Sequence, residues 1–169
     1  MWLIRVVSKY RERVVIMYKV ILENIVRLMN RKNLTQQELA DKASISRVRV
    51  NQLLSQRRNF NPKLSTLVNI AQALDMDFIE LSKRSPNLDL KFDNTRNFNE
   101  YRNIFIQNVK LKLIGKRAKS LSSYPGTSES GISELLSGKV LDPQLKTLVT
   151  IAEQLETTLS ELFNRMEKL

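Results

Sequence analysis

The chain contains neither cysteine nor histidine. Without cysteine there is no disulfide framework, thiol nucleophile or thiolate metal site. Without histidine, the side chain most used for general acid–base work and metal ligation is missing too. Only four glycines occur, and they form no nucleophile elbow and no phosphate-cradling loop. No apolar run approaches the ~18 residues of a membrane span. The N-terminal stretch Trp2–Met17 scatters charges through its apolar residues and lacks a signal-peptide cleavage site. These absences lead to the expectation of a non-enzymatic cytoplasmic protein, with no catalytic residues, no metal and no cofactor.

What is present is basic charge. The 169 residues hold 28 Lys plus Arg against 17 Asp plus Glu, a net of +11. Residues 1–85 carry 16 basic and 7 acidic groups, and residues 86–169 carry 12 and 10, so the excess lies in the first half. A basic face gains affinity for any polyanion by releasing counterions, which leaves DNA, RNA and an acidic membrane surface all open. The 42% apolar and 27% charged composition is that of a globular protein long enough for one ordinary domain or two small ones.

Self-comparison exposes an internal repeat. The run Asn61–Leu74 aligns with Asp142–Leu155, with eight of fourteen positions identical. Upstream, Val50–Ser55 matches Ile132–Ser137 with a one-residue change of offset. Two unrelated amphipathic helices would not also share the Pro and the Leu-Leu-Ser, so a duplicated unit of roughly 65 residues is expected.

Each copy has helical periodicity. In the first, Ile21, Ile25 and Leu28 predict a helix over 18–31. Thr35 with Glu38 makes a capping box for a short helix to Lys42, and Ser46 caps a helix to Gln56. Asn61, followed by Pro62 at the first helical position, predicts a fourth helix, and Asp77 caps a fifth ending near Lys83. The second copy is expected as helices over 99–113, 116–123, 128–137, 143–155 and 158–168, after a polar linker at 85–98. The expected fold is therefore all-α: two tandem five-helix domains, at 17–84 and 99–169.

Two short helices joined by a tight turn in a basic half follow the helix-turn-helix plan. The sequence Leu34-Thr35-Gln36-Gln37-Glu38-Leu39-Ala40, then Ile45-Ser46-Arg47, then Leu67-Val68-Asn69-Ile70-Ala71-Gln72-Ala73-Leu74, resembles the Cro/C1-type (xenobiotic-response-element, lambda-repressor-like) helix-turn-helix family of phage repressors. The resemblance spans about residues 18–83. Ala43-Ser44 stands where the family has an apolar-Gly pair, and Gln56 where a Gly often follows the recognition helix. The resemblance implies a five-helix fold, a duplex-DNA partner and a phosphate contact for Gln36.

Ala40, Ile45, Val50 and Leu53 have the spacing to pack the two helices together, which turns Arg47, Val48, Asn51, Gln52 and Ser55 outward. Arg pairs bidentately with guanine, Asn or Gln with adenine, and Val touches a thymine methyl. Arg49, Arg57 and Arg58 are placed for backbone phosphate, which supplies affinity and not sequence choice. The bland alternative for each is the solvated surface of an ordinary helix.

The second copy departs from this pattern. Glu129 replaces Arg47 and Glu134 replaces Gln52, so its equivalent helix would face phosphate with carboxylates. Its second helix lacks the Leu-Thr-Gln opening, and Tyr124-Pro125-Gly126 forms its turn. Lys110, Lys112, Lys116, Arg117 and Lys119 could lie along phosphate or simply be solvated. Dimerisation, or docking of another protein through residues 99–169, is the better expectation for this copy. Leu159, Leu162, Phe163 and Met166 offer an apolar stripe suited to a homodimer interface or, more commonly, to ordinary core. Residues 1–16 could pair as strands (Leu3–Val7 with Val14–Tyr18), swap as an arm, or form a functionless extension before a start at Met17.

The reading that results is a duplex-DNA-binding regulator, acting as a homodimeric repressor of phage or mobile-element type. Its rivals are an antitoxin or antirepressor that also binds its own operator, and a nucleic-acid-coating protein that relies on charge alone.

Overall fold

The computed structural model describes residues 2–55, 60–88, 96–114 and 128–165, with side chains from Val15 onward. The described chain is helical: α1 (Trp2–Arg31), α2 (Gln36–Lys42), α3 (Arg47–Leu54), α4 (Leu64–Ala73) and α5 (Phe78–Leu81) form the first half. The second half contributes α6 (Phe98–Lys112), α7 (Glu129–Leu136), α8 (Leu145–Gln154) and α9 (Leu159–Phe163). The expected helix over 116–123 lies outside the described residues. No described helix is long and apolar enough to cross a membrane.

The N-terminal residues do not pair as strands. They extend α1 to 30 residues. Between Trp2 and Arg31 there is no Gly or Pro, so nothing supplies a hairpin turn and nothing stops helical hydrogen bonding. The helix ends where Asn33 takes a left-handed conformation (φ 51°) and Leu34 donates back to the Met29 carbonyl at 2.9 Å. That closure satisfies the last carbonyls of the helix.

The same stop recurs in both halves. Asp75 (φ 53°) closes α4 with Met76 donating to Ala71, and Glu156 (φ 52°) closes α8 with Thr157 donating to Ala152. A second correspondence involves two buried amides. Asn24 of α1 donates to the Leu81 and Lys83 carbonyls at the end of α5, at 3.0 and 2.8 Å. Asn108 of α6 donates to the Leu162 and Asn164 carbonyls at the end of α9, at 2.8 and 2.7 Å. Each amide satisfies terminal carbonyls that would otherwise be orphaned.

The two halves share one continuous core, and their contacts are reciprocal. The Leu64 N–H donates to the Pro143 carbonyl (2.9 Å), and the Leu145 N–H donates to the Pro62 carbonyl (2.8 Å). Lys63 and Gln144 thereby form an isolated antiparallel bridge. Asp142 accepts from the Ser65 N–H (3.0 Å) and hydroxyl (2.7 Å), while Asn61 accepts from the Lys146 N–H (3.0 Å). Asn61 therefore does not cap its own helix, and Pro62 is not its first residue. The helix begins at Leu64, and Lys63 at its N-cap makes no side-chain cap bond. The orphan amides of each helix are satisfied across the junction, and Asn61 and Asp142 exchange roles as caps.

Loss of a capping side chain costs about 1 kcal/mol. Asn61→Ala and Asp142→Ala are each expected to destabilise by that amount, as measured by denaturant unfolding. A value near zero for both would mean that water caps these helices equally well.

The junction is completed by α1 against α8, α6 against α4, and α5 against α9. Phe163 stands with its ring centroid 5.1 Å from Phe78 and 5.1 Å from Phe105. Leu159, Leu162 and Phe163 are buried within the chain, which removes them from any surface stripe. Their apolar spacing is that of core, because α5 and α6 supply the partner face. Met166 lies outside the described residues.

Candidate nucleic-acid interface

The segment α2–turn–α3 is fixed at both ends by local chemistry. Thr35 accepts from the Glu38 N–H, and the Glu38 carboxylate accepts from the Thr35 N–H and hydroxyl, both at 2.8 Å. Those bonds satisfy amides at the start of α2, as the capping-box pattern predicts. Ser46 caps α3 by accepting from Arg49 N–H at 3.3 Å. Between them Ser44 adopts φ 53°, with Ile45 donating to the Ala40 carbonyl at 3.0 Å. Ser thus occupies a left-handed position where glycine would be less strained.

The bonds from Thr35 hold the Glu38 carboxyl below the ordinary carboxylate range, the backbone bond contributing most, with Lys42 adding to the effect. Glu161, bonded by the Thr157 hydroxyl and then by Thr158 N–H, is lowered in the same way. A depressed folded pKa stabilises the fold above the unfolded value, and the contribution disappears as pH falls through the depressed value. The melting temperature should therefore fall as the solution is acidified below the ordinary carboxylate pKa. In Glu38→Gln, whose amide can still accept from Thr35, that acid dependence should be smaller. An unchanged acid limb in the variant would remove Glu38 from the explanation.

Packing sets the orientation of α3. Leu39, Ala40, Ala43, Val50 and Leu53 are buried between α2 and α3, and Ile45 packs partly against them. A long-range bond adds to this local arrangement. The Tyr18 hydroxyl of α1 donates to the Leu53 carbonyl at 2.7 Å, and burial pushes its pKa up to about 12. This bond ties the end of α3 to the scaffold, and nothing in the local sequence of either residue signals it.

With that face buried, Arg47, Val48, Arg49, Asn51 and Ser55 are exposed, and Gln52 is half-buried. Val48 is 65% exposed, a lone apolar side chain among polar ones on the outer surface of α3. The Ser55 hydroxyl turns back to the Gln52 carbonyl at 3.4 Å. Gln36 sits half-buried at the first residue of α2. Among the described residues, Arg47 and Arg49 enter no ion pair, whereas Lys32–Asp75, Lys19–Glu23 and Lys83–Glu80 do. Arg57 and Arg58 lie outside the described residues.

In the second half, α7 is seated by Ile132 and Leu135, both buried. Ser128 caps it by accepting from Gly131 N–H at 3.0 Å. Glu129, Ser130, Ser133 and Glu134 are exposed. The two outward helices are therefore seated alike and charged oppositely. Lys110 and Lys112 are exposed at the end of α6, while Lys116, Arg117, Lys119 and the Tyr124-Pro125-Gly126 turn lie outside the described residues.

A short helix seated by the buried Leu39 and Ala40, a tight left-handed turn and a second helix with polar side chains outward have the geometry that enters a major groove. Residues 25–81 match the helix-turn-helix family model. The match runs from within α1 to the last residue of α5 and leaves the second half outside it. No curated protein and no solved structure matches the chain. The helix-turn-helix segment thus carries the outward α3 set, and duplex DNA is the ligand class to which such a segment points.

Proposed function

We propose that the protein is a sequence-specific duplex-DNA-binding transcription regulator, a repressor of the phage or mobile-element type, that reads the major groove with α3. The observation that carries the proposal is the presentation of α3: its apolar face is buried against α2, and Arg47, Val48 and Asn51 project from a segment matching the helix-turn-helix family. In this reading Arg47, Asn51, Gln52, Val48 and Ser55 read base edges, while Gln36, Arg49, Arg57 and Arg58 hold phosphate. Residues 17–84 are the reading domain and 85–98 the linker. Residues 99–169 are a divergent copy of the same plan, an assignment supported by the matching helix stops and the paired Asn24 and Asn108 bonds. The protein acts in the cytoplasm on the nucleoid, without catalysis.

A homodimer built on the α9 stripe does not belong to this reading, because Leu159, Leu162 and Phe163 are already buried within the chain. A second role for residues 99–169 has one observation in its favour. The exposed carboxylates Glu129 and Glu134 suit a basic protein surface better than a phosphate backbone. That is the arrangement an antirepressor or antitoxin module would use.

The test is selection of bound sequences from a random duplex pool by the purified protein at near-physiological salt. A recurring motif is the expected result. Enrichment of no motif, with binding governed by salt alone, would leave only charge-driven coating and overturn the proposal.

A further inference from the structure

We infer that the protein engages DNA as a single chain, through one base-reading helix per molecule, at a site without two-fold symmetry. The inference rests on the DNA-reading proposal above and adds the form of the site and the stoichiometry.

Its basis is the junction between the halves. In an isologous two-fold interface, residue i of one subunit meets residue j of the other, and j meets i. That pattern is present within one chain. The Leu64-to-Pro143 bond is answered by Leu145 to Pro62. The Asp142 cap on Ser65 is answered by the Asn61 cap on Lys146. Packing of α1 on α8 is answered by α6 on α4, and α5 meets α9. Such an interface is closed: once both copies of a patch are paired, neither remains for another molecule. The chain has built the contact that a homodimer would otherwise supply.

The two sides of that junction are chemically asymmetric. A symmetric pair of readers would favour a palindromic site. The helix seated like α3 in the second half is α7, which presents Glu129 and Glu134 where α3 presents Arg47 and Gln52. Carboxylates brought against phosphate lose affinity instead of adding it. A repeated half-site would therefore gain nothing from α7, and selection should leave one half only.

The experiment uses the full chain in two measurements. Sedimentation velocity of the free protein at micromolar concentration is expected to give a monomer near 19.6 kDa. Sedimentation with a labelled duplex carrying the selected motif should give one chain per duplex, a non-palindromic motif and a hydroxyl-radical footprint on one half-site. A stable free dimer overturns the inference and leaves the DNA-reading proposal standing. So does a palindromic motif bound by two chains. Failure to enrich any motif overturns both, and is told apart from the other outcomes because no duplex is then preferred.

Discussion

The double substitution Arg47→Ala/Gln52→Ala is expected to abolish preference for the selected motif while leaving weak, salt-sensitive binding to any duplex. Each bidentate contact to a base is worth about 1–3 kcal/mol of discrimination. Two lost contacts therefore correspond to a fall of roughly 30-fold to 20,000-fold in specific affinity. The residual binding should persist because Arg49 remains, along with the basic excess of the first half. The fold should be little disturbed, since Arg47 is exposed and Gln52 only half-buried, and such surface changes stay within about 0.5 kcal/mol. Competition titrations with motif and scrambled duplexes measure the effect, with Arg49→Ala as the comparison. That variant should weaken binding to both duplexes alike and lower the salt dependence by about one counterion. If the double variant discriminates as well as the native protein, α3 is not the reader.

The largest effect on stability is expected at Phe163. Its ring is fully buried and stands edge-on to Phe78 of the helix-turn-helix half, 6.1 Å from Tyr101 and 5.1 Å from Phe105. Truncation of a buried Phe to Ala costs about 3–5 kcal/mol, through lost transfer energy and the cavity left behind. For a chain of this length that lowers the melting temperature by roughly 6–20 °C. The form of the transition is as informative as its midpoint. Because the core is continuous through both halves, calorimetry of Phe163→Ala should show one transition, shifted as a whole. Two transitions, with the helix-turn-helix half melting where it does in the native protein, would show that the halves fold independently. The junction would then be a weak contact, and the single-chain inference would lose its support.

The helix-turn-helix was legible because its determinants are local. Thr35 and Glu38 lie three residues apart and bond to each other, and Ser46 bonds to Arg49 three residues on. Hydrogen bonds of this range follow from residue type and helical spacing, whatever the rest of the chain does. The inward set at Ala40, Val50 and Leu53 was equally readable, because helical periodicity leaves a single apolar face on each short element. The expectation for Asn61 and Pro62 failed for a related reason. An Asn before a Pro is a sound local cap, but a partner across the junction offered better geometry than its own helix. The strand pair, one of the alternatives left open for the N-terminus, does not form: branched apolar residues suit strand and helix alike, and only the absence of a turn decides between them.

By itself the sequence determined the helical class, the capped starts of α2 and α3, and the identity of the side chains that α3 turns outward. Tertiary structure alone decided three further matters. It turned the α9 stripe into core, tied the end of α3 to Tyr18 of α1, and made Asn61 and Asp142 cap each other's halves. The physical reason is separation along the chain. The Tyr18–Leu53 bond spans 35 residues, and the Ser65–Asp142 and Lys146–Asn61 bonds span 77 and 85. Over such distances a donor has many possible acceptors, and the packing of the intervening core chooses among them.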